Sequence, residues 1–508
     1  MILQPSNNKT HSNDDAEADV LILGGGTAAL LAAIAIKRHL PDRKLLMVRS
    51  TKLGIIGVGE GTIATIGRFL HHYLGIEPLR FHQEVRPSIK LGIQFLWGSD
   101  TPYHYSFAPQ FSAGNPAQSR FSQPIGAFCS SDATYANEAS SLMYHGKVAC
   151  LNSEGAPVLS PRFAYHLENR RFVEFLERYT DELGVRKLDA IVQHVSVNKD
   201  GVETLRLDSG EHVSAKLFID CSGFRSELLG KALNEDFLSF DNSLFCDRAV
   251  VGGWARDTDT YHAFTLAEAM NSGWSWRIEH DEIVNRGYVY SSSFITDEEA
   301  ESEFRMKNPK VDSTRIVNFR SGVYRRTWVK NVVAIGNAAG FVEPLEATAI
   351  GFMTSAIDQV VAILRSSHVA EIHRSIFNRG QQENWMQVRD FLALHYKPNR
   401  HSRSAFWDAC RNDAELGDAQ EIFDFYKESG PNFQPLRKRL SSDIFGPEGY
   451  LSVLVGQKVS HRSRCCTKNE NDGWLRYKRQ LRGSADSALS MQDYLMLIRE
   501  GVAVPPPG

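Results

Sequence analysis

The feature that most constrains this chain is a glycine-rich turn between a short apolar run and a helical pattern near the N-terminus. Residues 18–23 are largely apolar, Gly24-Gly25-Gly26-Thr27-Ala28-Ala29 follow, and residues 30–40 have apolar positions at helical spacing. A second apolar run, residues 44–48, comes where the next parallel strand is expected. The chain is therefore predicted to begin as a βαβ unit.

This turn fits the fingerprint of a dinucleotide-binding fold. Its first two glycines allow a tight turn and the close approach of a pyrophosphate, and Ala29 takes the place of the third glycine, at the packing of helix on strand. Arg49 and Ser50 end the next strand, where the usual ribose ligand is acidic, so the motif alone does not decide which nucleotide binds. The nucleotide contacts predicted here are Gly24, Gly26, Thr27, Ala28, Ala29 and Arg49.

Two more glycine-rich turns follow, one soon after the first and one much later in the chain. Residues 57–62 read Gly-Val-Gly-Glu-Gly-Thr, and three glycines in five residues let backbone amides approach a planar ring or a phosphate. Residues 335–340, Ile-Gly-Asn-Ala-Ala-Gly, follow an apolar run and are predicted to precede a helix, as a late strand-turn-helix. Separate nucleotide-binding turns indicate FAD more than NAD.

Size, charge and cysteine usage exclude several classes of protein. The chain has 508 residues and a formal net charge of −3, which gives no reason to expect nucleic acid or an acidic membrane as a partner. Its seven cysteines form no CxxC pair, and no stretch reaches the ~18 apolar residues of a membrane span. The histidines have no metal-binding spacing. We expect a cytoplasmic protein that acts on a small molecule without a metal.

The chain is predicted to fold as one compact α/β unit. Residues 1–17 are polar and acidic and are expected to form a disordered tail, whereas residues 18–98 and 185–355 carry the patterns of a nucleotide-binding body. Residues 99–184 and 356–508 are expected on the substrate side, the first range being irregular and rich in Ser, Gly, Pro and aromatic residues, the second mainly helical.

A series of motifs resembles the tryptophan halogenase family of flavin-dependent halogenases, in matching order and spacing from about Val20 to about Gly456. The motifs are Gly24-Gly25-Gly26-Thr27-Ala28, Gly57-Val58-Gly59-Glu60, Asp220-Cys221-Ser222-Gly223-Phe224-Arg225, Ser272-Gly273-Trp274-Ser275-Trp276-Arg277-Ile278 and Phe341-Val342-Glu343-Pro344-Leu345-Glu346. The resemblance implies a flavin-monooxygenase-like α/β body with a mainly helical C-terminal region. Its further FAD contacts would be Gly57, Val58, Gly59, Glu60, Ile335, Gly336 and Ile350.

The resemblance implies two catalytic residues. Lys90 lies in a segment matching the one that holds the family's catalytic lysine, which receives or orients hypohalous acid beside the substrate. By itself, a lysine in such a strand would usually be a solvated sheet-face residue. Glu346 matches the glutamate that works beside that lysine, although a helix N-terminal acid is the simpler interpretation of its position. In this role Glu346 would stabilise the ring cation and assist proton loss.

The other implied sites contain substitutions. Thr348 and Ala349 match the family's halide site, where backbone amides are the donors, with Ala349 in place of a glycine and Ala347 in place of a serine. The double-tryptophan signature is present at residues 274–278, but Glu279 replaces its proline. For the aromatic substrate, Phe107 and Tyr450 match, Tyr105 stands where the family has histidine, and Phe445 and Leu451 replace a tryptophan and a tyrosine.

The implied activity is chlorination or bromination of an electron-rich aromatic substrate such as tryptophan, an indole or a phenol. It would use reduced FAD from a separate flavin reductase, oxygen, and chloride or bromide, without a metal. The resemblance leaves a homodimer open. Two alternatives remain: a flavin-dependent hydroxylase, favoured by Glu279, and a flavin-binding protein without halogenating activity, suggested by Ala29, Arg49 and Ala347.

Overall fold

The computed structural model describes residues 17–54, 59–110, 135–257, 259–400, 402–463 and 467–501. Gly57 and Val58, both predicted FAD contacts, and the tail 1–16 lie outside the described residues. The strands in these ranges are β1 (Glu17–Leu23), β2 (Leu45–Arg49), β3 (Glu60–Gly61), β4 (Ser88–Lys90), β5 (Gly92–Leu96), β6 (Tyr103–Ser106), β7 (Lys147–Leu151), β8 (Pro157–Leu159), β9 (Ala164–Leu167), β10 (Arg186–Asp189), β11 (Val192–Asn198), β12 (Gly201–Leu207), β13 (His212–Asp220), β14 (Phe237–Ser239), β15 (Arg248–Ala255), β16 (Phe264–Met270), β17 (Gly273–Glu279), β18 (Ile283–Tyr290), β19 (Thr314–Asn318), β20 (Gly322–Tyr324), β21 (Trp328–Val329), β22 (Val332–Ala334), β23 (Gly340–Phe341) and β24 (Leu489–Ser490).

Helices dominate the chain after residue 348, as the sequence predicts. None of the helices in the described ranges combines the length and apolarity needed to cross a membrane. The helices are α1 (Thr27–His39), α2 (Pro78–Val85), α3 (Glu138–Tyr144), α4 (Asn169–Glu182), α5 (Asp297–Lys307), α6 (Ala349–Leu364), α7 (Glu371–Tyr396), α8 (Ala405–Asn412), α9 (Ala419–Ser429), α10 (Phe433–Arg439), α11 (Gly446–Gly456), α12 (Lys468–Asp486) and α13 (Met491–Arg499).

The predicted βαβ unit forms the centre of a parallel sheet. Strands β10, β2, β1, β13 and β22 pair in parallel, in that order, and the hairpin β11–β12 extends the sheet beside the first half of β13. Helix α1 crosses from β1 to β2, and its residues from Ala29 to Ile36 are buried, since both α4 and α6 pack against it. The continuous apolar runs in β1 and β2 follow from burial on both faces of a parallel sheet.

A second, largely antiparallel sheet lies beside the first. Its strand order is β19-β15-β18-β17-β16-β5-β6, with β16 and β5 as the parallel pair. A three-stranded sheet, β3-β9-β4, stands at the junction and brings residues 60–61 onto the same small sheet as residues 88–90. The C-terminal helices α7 to α11 pack on one side of the second sheet in a shared apolar core. The predicted α/β class with a helical C-terminal region is confirmed.

One local prediction is wrong. The turn at residues 335–340 does follow a strand, β22, but it does not lead directly into a helix. A 3-10 turn, Gly336–Ala338, is followed by the short strand β23, which pairs with β20, and α6 begins only at Ala349. The pairing of Gly340 and Phe341 with β20 extends the chain there, so the intervening segment 342–348 is free to contribute side chains to a site.

Candidate active site

A cleft of about 1320 Å³ opens at the carboxyl ends of β1, β2 and β13. Gly24 has φ +139°, and a Cβ there would lie 2.3 Å from the carbonyl oxygen of Cys221, so the turn requires glycine. Helix α1 begins at Thr27, and Gly26 at its N-cap directs the first-turn N–H groups at the cleft. Such a helix N-terminus favours a bound pyrophosphate.

Most of the predicted FAD contacts line this cleft. Three predicted contacts do not line it. Ala29 is fully buried in the first turn of α1, and Ile350 is buried in the first turn of α6. Gly336 lines a smaller cavity described below. The lining residues that were predicted are Gly24, Gly26, Thr27, Ala28, Arg49, Gly59, Glu60 and Ile335. The size of the cleft, the required glycine and the helix N-terminus fit an FAD molecule.

Glu60 connects the cleft to the interior. Its side chain lines the cleft, Asn169 Nδ2 donates to Glu60 Oε1 at 3.3 Å, and burial raises the pKa of Glu60 to about 7. The next residue, Gly61, has no side chain where three groups converge: an added Cβ would lie 3.2 Å from Ala347 Cβ, 3.4 Å from Lys90 Nζ and 3.5 Å from Thr265 Oγ1. The end of the cleft at Glu60 is therefore separated from Lys90 by one glycine.

Lys90 is fully buried rather than solvated. Its Nζ donates to the carbonyl oxygen of Thr62 at 3.1 Å and lies 5.5 Å from the centroid of the Phe107 ring. Burial lowers the pKa of Lys90 to about 7, while the charge of Glu346 acts in the opposite direction. An amine whose pKa is near 7 is only partly protonated at neutral pH, so it can both donate hydrogen bonds and lose a proton, as functional lysines do.

Glu346 lies at the end of a 3-10 turn and is 3% exposed. Its Oε1 is 2.8 Å from His395 Nε2. The charge of Glu346 acts on two neighbouring groups. It opposes the effect of burial on the pKa of Lys90, and it adds to burial in raising the pKa of Tyr105. The structure thus buries Lys90 and Glu346 close enough for their charges to interact, although the strand and the turn that carry them are far apart in sequence.

The predicted halide residues line a separate small cavity. Thr348 is the N-cap of the 16-residue helix α6, and Ala349 is its first residue. The cavity holds about 20 Å³, enough for one water-sized species, and is also lined by Gly336, Phe352 and Trp385. The positive end of the α6 dipole faces it, which favours an anion.

The double-tryptophan strand β17 is buried and anchored by acidic groups. Trp274 and Trp276 have ring centroids 6.0 Å apart, and Trp274 Nε1 donates to Glu343 Oε2 at 2.6 Å. At the end of the strand, Glu279 is 1% exposed and pairs with Arg256 and Arg277, at 2.5 and 2.6 Å. The residue that replaces the family's proline is therefore neutralised inside an ionic cluster.

Aromatic side chains surround the space beside Glu346. Tyr105 and Phe391 are 6.3 Å apart in an edge-to-face arrangement, Phe391 and Phe445 stack at 3.9 Å, and Phe391 and Tyr450 are 5.0 Å apart. Tyr450 OH donates to Asp443 Oδ2 at 3.2 Å. The predicted substrate residues Tyr105, Phe445 and Tyr450 meet around Phe391, and Phe107 lies at Lys90. Such a wall suits a flat aromatic ligand.

Two residues beside Glu346 were not predicted from the sequence as site residues. These residues are Phe391 and His395, and neither belongs to the motifs described above. Both lie on α7, four residues apart, so they occupy the same helix face. That spacing signals a shared face but not what the face contacts, so the partnership of His395 with Glu346 had no signal in the sequence.

The comparisons with known proteins agree with this geometry. Residues 19–469 match the family model described as tryptophan halogenase. The chain belongs to the tryptophan halogenase family. RebH, a tryptophan 7-halogenase of Lentzea aerocolonigenes, is 31% identical to this family member over 434 residues, which cover 80% of this chain and 81% of RebH.

Solved structures extend the likeness to the whole fold. MibH, a lanthipeptide tryptophan 5-halogenase, superposes with a TM-score of 0.86 at 32% identity, covering 98% of this chain and 95% of MibH. BrvH, a flavin-dependent halogenase from Brevundimonas sp. BAL3, gives a TM-score of 0.82 at 27% identity, covering 94% of this chain and 98% of BrvH. As a tryptophan halogenase family member, the chain is a flavin-dependent halogenase, an oxidoreductase, as predicted.

Proposed function

We propose that this enzyme chlorinates or brominates an electron-rich aromatic ring, with Lys90 and Glu346 as its catalytic residues. The observation that carries the proposal is that a buried ammonium group and a buried carboxylate interact through their charges, beside the aromatic side chains around Phe391. Burying two ionisable groups is costly unless they are used or paired, and strongly perturbed groups in a cavity mark functional sites.

The residues around the large cleft are those that would hold FAD, chiefly the glycine turn at Gly24, the N-terminus of α1 and Glu60. Bound there in its reduced form, FAD would react with oxygen and a halide to supply hypohalous acid. A separate flavin reductase would provide the reduced form. Gly61 follows Glu60, which lines the cleft, and its Cα side lies against Lys90, so the oxidant would be formed close to the lysine.

The halide would bind at the N-terminus of α6. Thr348 and Ala349 border a cavity of one-ion size, and the unpaired backbone N–H groups of a helix's first turn are natural anion donors. Because the contacts would be backbone groups, alanine in place of glycine at position 349 is compatible with them. Asn337 and Met353 line both this cavity and the large cleft, so the halide would bind next to the proposed FAD site.

Lys90 and Glu346 would divide the work at the ring. The N–H groups of Lys90 can donate to the oxygen of hypohalous acid, and the enclosing walls keep this reactive species from bulk water. A carboxylate at Glu346 can stabilise the positive charge that develops on the ring and accept the proton that leaves. Tyr105, Phe107, Phe445 and Tyr450 would position the ring.

Two substrate classes are supported. The aromatic wall fits a free indole or phenol, including tryptophan, the substrate named for RebH. Tryptophan within a peptide is the second candidate, because MibH, which resembles this chain over nearly its whole length, is a lanthipeptide tryptophan halogenase. Free tryptophan, a blocked tryptophan peptide, indole and phenol make a panel that separates these classes.

The test compares wild-type protein with Lys90→Ala, supplied with FAD, a generic flavin reductase and bromide or chloride. We expect halogenated product on at least one member of the panel, and loss of halogenation by about 10²-fold or more in Lys90→Ala with FAD binding unchanged. Mass spectrometry distinguishes halogenated from hydroxylated products. Full halogenation by Lys90→Ala would refute the catalytic assignment, a hydroxylated product would support the hydroxylase alternative, and flavin binding without turnover the binding-protein alternative.

A further inference from the structure

His395 is the buried partner of Glu346. It lies in the last turn of α7 and is 0% exposed. Its Nδ1 is 2.8 Å from the carbonyl oxygen of Phe391, and its Nε2 is 2.8 Å from Glu346 Oε1. The ring also packs edge-on against Phe391 at 4.7 Å and beside Phe95 at 5.3 Å. Both nitrogens thus have fixed partners, and the ring has no room to rotate.

These partners restrict where the protons lie. A carbonyl oxygen can only accept a hydrogen bond, so Nδ1 of His395 must carry a hydrogen. At Nε2 two arrangements remain: a neutral ring that accepts from a protonated Glu346, or an imidazolium that donates to a Glu346 carboxylate. In both arrangements one proton is shared between the two side chains, so the ionisation of Glu346 depends on His395.

The helices on each side favour the charged arrangement. His395 is at the C-terminal end of the 26-residue helix α7, where the helix dipole stabilises a cation. Glu346 precedes Thr348, the N-cap of α6, where the dipole stabilises an anion. The carbonyl oxygen of His395 also accepts hydrogen bonds from Trp97 Nε1 at 2.7 Å and Gln457 Nε2 at 3.0 Å, which fix the end of the helix.

We propose that His395 is a positioning residue, a buried imidazolium that holds Glu346 as a carboxylate in a fixed orientation. The bond at Oε1 leaves the other oxygen, Oε2, as the one without a hydrogen bond from the described residues. In this proposal Oε2 is therefore the oxygen that remains available to the reacting ring. This inference rests on the proposed halogenation, and it assigns a role to a residue that the sequence motifs do not contain.

The pair would serve the proton balance of the reaction. The ring forms a carbon–halogen bond as the halogen–oxygen bond of hypohalous acid breaks, and the oxygen leaves as water after taking one proton from the Lys90 ammonium, which regains it from solvent. The ring cation then loses its C–H proton to Glu346 Oε2, and that proton returns to solvent, so one aromatic C–H and one hypohalous acid give one halogenated ring and one water. The imidazolium of His395 stays bound throughout and keeps Glu346 ready to accept.

Other titratable groups face this pair and must be separated from it. Burial raises the pKa of Glu343 to about 7, while hydrogen bonds and the charge of His395 act in the opposite direction. Burial lowers the pKa of Lys90 to about 7. Both would therefore contribute to any pH profile near neutrality, whatever residue is at position 395. Among the described residues, those whose charges interact with the pair are Lys90 of β4, Tyr103 and Tyr105 of β6, and Glu343 of the segment before α6, and Tyr396 follows His395 in α7.

The first experiment needs no turnover. The full-length holoenzyme is labelled with ¹⁵N-histidine, and the His395 signals are assigned by their loss in His395→Gln. We expect both ring nitrogens of His395 to be protonated at pH 7, and a neutral ring with hydrogen on Nδ1 alone in Glu346→Gln, because the balancing carboxylate is gone. A neutral His395 ring in the wild-type protein at pH 7 would overturn the proposal.

The second experiment measures halogenation of the panel from pH 6 to pH 9 and reports the rate of each variant relative to wild type at the same pH. We expect His395→Gln to fall about 10²-fold at pH 7 with KM little changed, and to recover as pH rises by about 1 to 3 units. The sign follows because a buried negative charge is disfavoured once the positive charge beside it is removed, and more alkaline solution favours the negative charge again.

His71→Gln is the matched control. His71 is also buried, with Nδ1 2.9 Å from the carbonyl oxygen of Ile76 and Nε2 3.1 Å from Tyr165 OH, but its partner is not a carboxylate. We expect a relative rate near that of wild type at every pH. A pH-independent loss in His395→Gln would mean packing alone and would overturn the proposal. If the wild-type enzyme halogenates no probe, the proposed function fails, whereas the histidine spectrum still decides the state of His395.

Discussion

At the scale of single residues, Lys90 shows how far a functional group can oppose stability. It is fully buried, yet its Nζ has a single protein acceptor, the Thr62 carbonyl, and no carboxylate contacts it directly among the hydrogen bonds and ion pairs of the described residues. Burial lowers its pKa to about 7 from 10.5. Folding must therefore desolvate or deprotonate this amine below pH 10, which costs free energy.

Replacing this amine with an apolar side chain of similar length should stabilise the protein. We expect Lys90→Met to raise the free energy of unfolding by about 2 to 4 kcal/mol at pH 7. The gain should shrink as pH rises from 7 towards 10.5, because over that range the unfolded lysine also loses its proton. Urea unfolding at pH 7 and pH 9.5 measures both effects, and halogenation should be lost.

The exposed Lys199 supplies the control for this substitution. Lys199→Met should leave the free energy of unfolding within about 0.5 kcal/mol of wild type at both pH values. A Lys90→Met protein less stable than wild type at pH 7 would mean that the ammonium is better compensated inside the fold than burial and the Thr62 contact indicate.

The same residues show what a sequence reveals of a site. Lys90 was found through a family resemblance, while its own context, an alternating strand, would have placed it on a solvated face. His395 could not be found, because its partner Glu346 is 49 positions away and only the packing of α7 against the segment before α6 brings them together. Local patterns predict faces of elements, and a site assembled between elements depends on contacts that local patterns do not encode.

At the scale of elements, the βαβ unit was the best-predicted part of the fold. Its strands and helix agree with the predicted runs to within a few residues, because continuous apolar strands and the helical pattern after the turn are strong local signals. The segment after Ile335 was wrong for the opposite reason. Its small residues, Ala338 and Ala339, suit a helix locally, but pairing of Gly340 with β20 keeps the chain extended.

The first turn of this unit gives a prediction about two neighbouring glycines. Gly24→Ala would force an alanine to φ +139° and place its Cβ 2.3 Å from a backbone oxygen, whereas Gly26 has φ −90° and nothing within 4 Å. We expect Gly24→Ala to lower the free energy of unfolding of the apoprotein by about 3 kcal/mol or more. Gly26→Ala should cost about 1 kcal/mol, as alanine is a poorer N-cap.

Thermal unfolding without flavin measures the folding effect, and titration with FAD measures binding. Gly24→Ala should impair both, because the turn must distort to relieve the contact with Cys221. An apoprotein of Gly24→Ala that melts with the wild-type midpoint would contradict the requirement for glycine at this position.

At the scale of the whole molecule, Glu343 links the second sheet to the C-terminal helices. Its Oε2 accepts hydrogen bonds from Trp274 Nε1 of β17 and from Tyr396 OH of α7. The division into an FAD-binding body and a substrate-side region, at residues 18–98 with 185–355 and 99–184 with 356–508, stays a prediction. Glu343 lies where those two predicted regions meet, so its ionisation affects the junction between them.

Glu343→Gln tests this junction through its pH dependence. Burial raises the pKa of Glu343 from 4.5 to about 7, so the folded protein holds a proton that the unfolded chain has released, and stability from this group is lost as pH rises from 4.5 through 7. Glutamine keeps an oxygen acceptor for Trp274 and Tyr396 but does not ionise. Relative to wild type, the variant should therefore gain about 2 kcal/mol in free energy of unfolding between pH 5 and pH 8. Urea unfolding at both pH values measures it, the exposed Glu154→Gln should show no such gain, and a gain of zero would mean that Glu343 is ionised without cost in the folded protein.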